Sequence, residues 1–276
     1  MMHPAQRFTA PGSIQRGVPL KSLLDETLVG LLADSMVPVH PPFDHKRFRR
    51  DTASGLDELE LMPRADHIAT VLARELPSGL DAAADALIAA MGPELAVTAG
   101  MGLAPFFYLP HVSFIKNHLI GSFAAGMRAN LAVTKRFSAE FSIRPFLLRY
   151  PAESLALLAT WAKDPNPHVR RLVSEGSRPR LPWAGRLAPF MRDPTPTIAL
   201  LERLKDDASA YVRRSVANHV GDIAKDNPAI AYALCRRWLE ESQDVSRRAV
   251  VRHAIRLPAQ RGDRTAVKLR RDAGGR

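Results

Sequence analysis

The second half of this chain repeats itself. The run Asp164-Pro-Asn-Pro-His-Val-Arg-Arg-Leu-Val-Ser-Glu175 aligns with Asp207-Ala-Ser-Ala-Tyr-Val-Arg-Arg-Ser-Val-Ala-Asn218 at an offset of 43 residues. A third copy, Ser246-Arg-Arg-Ala-Val-Val-Arg-His253, follows 34 residues further on. A period near 40 leaves room for two helices per unit and predicts an all-α fold, a HEAT-like repeat solenoid: a curved stack of antiparallel helix pairs. Helix starts recur as well. Asn166 and Ser209 occupy the same slot and are both good N-caps, and Pro167 takes the first helical position, where its missing N–H costs nothing. A looser copy, Lys135-Arg-Phe-Ser-Ala-Glu140, precedes Arg170–Glu175 by 35 residues, and Arg144-Pro145 echoes Arg178-Pro179. Four successive units then place Glu140, Glu175, Asn218 and Arg252 at one equivalent position, which in a solenoid is one surface.

The first half shows helical periodicity without the repeat. Leu20, Leu23, Leu24, Leu28, Leu31 and Leu32 share a broad face, ended by Pro38, Pro41 and Pro42. Further helices are predicted at about 43–51, 55–61, 64–75, 79–91, 115–138 and 139–149, and strand signals are weak. Residues 1–18 read as a flexible tail, 19–262 as the repeat domain and 263–276 as a basic tail. The apolar stretch Leu95–Ile115 is interrupted by Gly100, Gly102, Pro105 and Pro110 and contains His111, a poor membrane span. With no signal-peptide layout and a single cysteine, Cys235, in an apolar run, the expectation is a cytoplasmic protein with a buried structural thiol and no disulfide.

Charge divides the chain. Residues 1–130 hold 11 Lys+Arg against 13 Asp+Glu, whereas 131–276 hold 28 against 15, with Arg outnumbering Lys 23 to 5. Arg forks onto phosphate oxygens, so the basic half is where a polyanion would bind, although arginine-rich codon usage also produces such a bias. The repeated pairs Arg170/Arg171, Arg213/Arg214 and Arg247/Arg248, together with Arg144, Arg178, Arg180, Asn218 and Arg252, are the candidate DNA contacts. The alternative is that they pair with carboxylates such as Asp206 and Asp222.

One carboxylate stands out among these arginines. Arg171, Glu175 and Arg178 share a helix face. Glu175 is either a salt-bridge partner, worth about 0.3–0.5 kcal/mol as an i,i+4 pair, or the chemical group. A carboxylate facing a sugar C1′ stabilises oxocarbenium charge and orients water. Trp183, eight residues on, either presses its ring against a nucleotide or fills the core. Other chemistries lack support: no Walker A or dinucleotide fingerprint occurs, and nothing near His111 and His118 completes a zinc site. No metal and no cofactor is expected.

Three stretches carry a resemblance: Phe137–Leu147, His168–Trp183 and Tyr211–Asp226. They are similar to the AlkC branch of the HEAT-like DNA alkylation repair glycosylases, the AlkC/AlkD superfamily, over about residues 20–270. The resemblance implies a monofunctional glycosylase whose partner is double-stranded DNA containing alkylated bases; a monomer with no membrane partner is expected. It would release cationic N3-alkylated bases, such as 3-methyladenine and 3-methylcytosine, without full base flipping. By motif match Glu175 would face the deoxyribose and position water, Glu140 would support it or contact the lesion, and Trp183 would pack on the sugar. Some members continue into an Ig-like domain that touches DNA; here that grip would be absent or taken over by Arg261, Arg264, Lys268, Arg270 and Arg271, residues that equally suit a disordered, solvating tail. A non-catalytic DNA-binding protein on the same scaffold is the second reading, and a protein-interaction platform the third.

Overall fold

The computed structural model describes residues 2–275, and among these all regular structure is helical. The chain divides into two compact units, Met1–Phe146 and Leu147–Arg276. The first holds α1 (Pro4–Arg7), α2 (Glu26–Met36), α3 (His45–Ala53), α4 (Leu61–Glu75), α5 (Leu80–Ala89), α6 (Leu109–His118) and α7 (Phe123–Thr134), with α8 (Ile143–Arg149) running across the division. Within it α2 packs on α3, α4 on α6, and α5 on α7.

The second unit holds α9 (Pro151–Trp161), α10 (Pro167–Gly176), α11 (Ala188–Arg192), α12 (Thr195–Leu204), α13 (Ala210–Asp226), α14 (Pro228–Glu241), α15 (Val245–Ala254), α16 (Arg256–Gln260) and α17 (Arg264–Asp272). The three copies of the sequence repeat open α10, α13 and α15. These helices pack side by side, and α9, α12 and α14 back them as a second layer. The predicted helical repeat is therefore the observed architecture of this unit. Its interface is apolar along Val169, Leu172 and Val173 of α10, Val212, Val216 and Val220 of α13, and Val250 and Val251 of α15, all buried.

Local chemistry sets the helix starts. Asp25, Asp44, Ser122, Asn166, Asp244 and Asp263 each accept a backbone N–H at an N-cap. Pro151, Pro167 and Pro228 stand at the first helical position, which is how a chain with 22 prolines stays helical. Ser209 sits at the N-cap of α13, but its side chain makes no cap bond; Asp207 Oδ1 instead accepts the Ser209 N–H at 2.8 Å.

Several expected boundaries shift. The long helix predicted at 115–138 is two helices, because the chain turns at Leu119–Ser122 and Ser122 caps a new start. The interrupted apolar stretch ends in α6, where Pro110 is tolerated in the first turn and His111 is fully buried. Residues expected as tails contain α1, which packs on α2, and α17, which packs on α14 and α16. Cys235 is buried on α14, and burial pushes its thiol up to about 12. Among the described residues no helix is long and apolar enough to cross a membrane.

Glycine has opposite meanings at two helix positions in the first unit. A Cβ on Gly126 of α7 would overlap the Phe146 ring of α8, so the missing side chain is what lets these helices approach. A Cβ on Gly30 of α2 would meet only the Arg49 guanidinium, at 3.8 Å. Gly126→Ala should destabilise by about 1–3 kcal/mol through overpacking. Gly30→Ala should instead gain up to about 1 kcal/mol of helix propensity. Urea unfolding of the two variants beside wild type checks the opposed signs.

Candidate active site

α10 is amphipathic by construction. Its apolar residues face the neighbouring helices, and Glu175 falls in its last turn, where the residue is only 5% exposed. Ionised carboxylates are not left buried without partners, since desolvation costs several kcal/mol. Here Arg178 Nη1 lies 2.6 Å from Glu175 Oε1, Arg171 Nη2 lies 3.5 Å from the same oxygen, and Ser215 Oγ donates to Oε2 at 2.6 Å. Burial opposes ionisation of Glu175, but the Arg171 and Arg178 charges and the Ser215 and Arg178 hydrogen bonds outweigh it and hold the carboxyl below its ordinary range. The closer ionic partner is thus three residues ahead, and the pair is buried rather than a solvated surface bridge.

The support comes from one face of α13. Ser215, His219 and Asp222 are spaced four and three residues apart, so they share a side of the helix, and all three are buried. Each bonds the end of α10 or the residues just after it. Ser215 holds Glu175; His219 Nδ1 lies 2.9 Å from Ser174 O; Asp222 Oδ2 accepts from Arg178 Nε at 2.7 Å. Asp226, one turn further, takes Arg180 through two bonds of 2.7 and 2.6 Å. Burial lowers His219 to about 4, so its ring is neutral at pH 7.

The segment after α10 is pinned by these contacts and by Leu187 N–H donating to Pro179 O at 3.0 Å. Leu181 and Leu187 are buried, while Trp183 between them is 65% exposed. Trp183 does not fill the core. Its φ of 63° makes it, among the described residues, the one non-glycine in the left-handed region, a conformation that costs about 1–3 kcal/mol and concentrates at functional sites.

The arginine pairs resolve into two roles. Arg170, Arg213 and Arg247, the first of each pair, are tied into the repeat turns. Arg170 donates to Asp164 O and Pro165 O and forks onto Asp207 at 2.6 and 2.9 Å. Arg213 donates to Asp207 O and Ala208 O. Arg247, 5% exposed, pairs with Asp206 and with Glu241 at 3.2 Å. The second arginines differ: Arg171 lies over the Tyr211 ring at 5.3 Å, Arg214 is exposed, and Arg248 is half-buried. Adjacent helical residues point about 100° apart, and the first of each pair is the one engaged by the repeat turn. Arg178 and Arg180 likewise meet carboxylates, Arg144 is buried, Asn218 Oδ1 lies 2.8 Å from His253 Nε2, and Arg252 donates to Ala273 O.

Glu140 belongs to the first unit and lies in the turn after α7, with Ser138 Oγ donating to its Oε2 at 2.7 Å. Its sequence equivalence to Glu175 does not extend to secondary structure, because the copy at 135–140 is non-helical whereas Arg170–Glu175 is helical. Ser215 and Asp222 were missed as site residues. The signal for Ser215 is a polar residue at the core position that Leu172 occupies in the preceding repeat. Among the described residues, no group of three or more His, Cys, Asp and Glu side chains is placed to hold a metal.

Removing the Ser215 hydroxyl leaves Glu175 Oε2 without its donor. Ser215→Ala should cost about 1.5–3 kcal/mol at pH 7, the range for hydrogen bonds to charged groups. Glu175 has a depressed folded-state pKa, so the stability it contributes is present above the unfolded value and is lost as pH falls through the folded one. The gap between wild type and Ser215→Ala should therefore close in acid, as read by urea unfolding from pH 7 downward.

No family profile matches the chain. It is 31% identical over 252 residues to Uncharacterized protein YhaZ of Bacillus subtilis (strain 168), covering 91% of this chain and 67% of that one. It also resembles the solved structure of Pseudomonas fluorescens alkylpurine DNA glycosylase AlkC bound to DNA containing an abasic site analog. There the TM-score is 0.81 at 35% identity, over 95% of this chain and 68% of the other. With the helical repeat, the likeness in sequence and the likeness in structure all in agreement, the chain belongs to the AlkC branch of the AlkC/AlkD superfamily.

Proposed function

We propose that this protein is a monofunctional DNA glycosylase that cleaves the C1′–N bond of cationic N3-alkylated bases, such as 3-methyladenine and 3-methylcytosine, in duplex DNA. The observation that carries the reading is a buried carboxylate held ionised at the end of α10, with a strained, exposed tryptophan on the pinned segment that follows. Both stand in a chain 35% identical to an alkylpurine DNA glycosylase.

The chemistry asks little of the protein. An N3-alkylated base is already positively charged and leaves as a neutral molecule, so no general acid is needed at the base. As the bond breaks, positive charge moves to the deoxyribose; water then adds at C1′ and releases a proton. A fixed negative charge is what such a transition state requires. Glu175 Oε1 takes both arginines and Oε2 takes Ser215, which leaves acceptor capacity on Oε2 for a water or for facing the sugar. Trp183 packs on the sugar, and the base is captured without full extrusion. Arg171, Arg214, Arg248 and Arg252 meet the phosphate backbone.

Glu175→Gln should lower 3-methyladenine release from alkylated duplex by about 100-fold or more, the scale for a preorganised electrostatic group, while duplex affinity is kept. Equal release by wild type and variant would leave only the non-catalytic DNA-binding reading. Trp183→Gly removes ring and backbone strain together, so thermal stability should hold or rise while release falls. Neither Glu175, held below the carboxylate range, nor His219, at about 4, titrates near neutrality. The single-turnover rate should thus be flat from about pH 6 to 9 and fall only in acid, as Glu175 takes up a proton.

A further inference from the structure

Three groups hold Glu175, and α13 sets each of them. Ser215 donates directly to Oε2 at 2.6 Å. Arg178 reaches Oε1 at 2.6 Å and is itself fixed by Asp222. Arg171 is the third: its Nη2 lies 3.5 Å from Oε1, and its guanidinium carbon lies over the Tyr211 ring, 5.3 Å from the centroid. Tyr211, Ser215 and Asp222 are separated by one helical turn and then two, so they stand in order along one side of α13. We propose that Tyr211 is a positioning residue for the candidate catalytic carboxylate, a ring platform that aims Arg171 at Glu175. The role rests on the glycosylase function proposed above for what the carboxylate does, but not for how it is held.

The ring is seated against two successive turns of α10. His168, buried in the first turn, meets it edge-on, with centroids 5.5 Å apart and planes at 66°. Arg171, three residues further and on the same side of the helix, covers it. A guanidinium within about 6 Å of a ring centroid is attracted by the ring's quadrupole, more strongly where water is partly excluded. The side chains of Arg171 and Glu175 are 18% and 7% exposed, so water is scarce here. The Arg171 contact is the looser of the two ion pairs to Oε1, and a long side chain left free to change rotamer would give it up first.

The repeat shows that ring and carboxylate go together. The slot of Tyr211 is occupied by His168 one copy earlier and by Val245 one copy later. Each slot serves the second arginine of the preceding copy: Tyr211 faces Arg171, and Val245 stands in that place for Arg214. Val245 has no ring and is 74% exposed. Asn218, not a carboxylate, follows Arg214 at the Glu175 position. Packing alone does not require the aromatic residue, since α15 lies against α13 with valine in the slot.

The consequence falls on the charge of Glu175. Facing the carboxylate are Arg171 and Arg178, with the Ser215 hydroxyl, and with neutral His219 and ionised Asp222 behind them on α13. Burial favours the protonated carboxyl, and the Arg171 charge is the largest influence against it, ahead of Arg178. An Arg171 that swings away therefore lets Glu175 take up a proton at higher pH.

Glu175 is followed in the DNA-free protein by carboxyl ¹³C NMR titration, and in parallel by the acid limb of single-turnover base release with enzyme in excess. The proteins are wild type, Tyr211→Phe, Tyr211→Leu, Arg171→Met and the double variant. Tyr211→Phe keeps the ring face and should match wild type in both readings. Tyr211→Leu should raise the Glu175 midpoint by about half to one pH unit, the scale of a lost cation–π contact, and the acid limb should rise with it. Adding Tyr211→Leu to Arg171→Met should shift nothing further. An unmoved midpoint in Tyr211→Leu would overturn the proposal. So would a Tyr211→Phe as defective as Tyr211→Leu, or an equal shift with and without Arg171. The stack is also read without substitution: the Arg171 Cδ protons of wild type should be moved upfield by the Tyr211 ring current, and unshifted resonances would overturn it even where Tyr211→Leu does not fold. Base release by wild type is scored separately. No release with a Tyr211-dependent midpoint sinks the glycosylase reading and supports the platform; release with a Tyr211-independent midpoint does the reverse.

Discussion

Glu175 is an ionised group placed where water cannot reach it freely, and the second unit is arranged around meeting that demand. Arg178 supplies the nearer charge, but Arg178 is itself buried and needs Asp222; Ser215 donates to the carboxylate's other oxygen. A buried network of this kind adds little net stability compared with apolar packing. What it does is exclude alternatives. Sliding α10 along α13 by one turn would keep many apolar contacts, because valines recur on both helices, yet it would separate Glu175 from Ser215 and Arg178 from Asp222. Groups left buried without partners cost several kcal/mol, so the polar seam selects one register from several that the valines permit.

The same face of α13 then sets the course of the segment after α10. Asp222 and Asp226 stand one turn apart and take Arg178 and Arg180. Those two anchors, with Leu181 and Leu187 buried on either side, leave the chain little choice but to lift Trp183 outward in a left-handed conformation. The carboxylate and the aromatic ring are therefore not independent features. Both positions descend from one helix face.

Much of this was legible beforehand, and the failures have a common cause. The 43-residue offset identified the helices that pack side by side, and Asn166-Pro167 marked a helix start, because capping and repeat spacing are local properties. Asp206 and Asp222 were recognised as carboxylates able to meet arginines, and they do. The pairing of side chains across helices was not legible. Arg170 and Arg171 look alike in sequence, yet one forks onto Asp207 and the other lies over Tyr211. Glu140 looked like Glu175 because six residues align, but the chain at 135–140 has already left its helix, so the alignment carries no common face. Ser215 passed for a tolerated substitution in an apolar row until its partner, 40 residues earlier, was in view.

One unfavourable local arrangement remains in the second unit after packing is complete: the left-handed backbone at Trp183. A protein selected only for stability would lose it, since glycine at 183 removes a cost of about 1–3 kcal/mol. Under the proposed function the exposed ring gains by packing on a sugar, so the free protein already holds a conformation that binding makes favourable and little reorganisation is needed when DNA arrives. That is the physical content of preorganisation, and it joins a fixed carboxylate and a strained tryptophan into one requirement on the same array of helices.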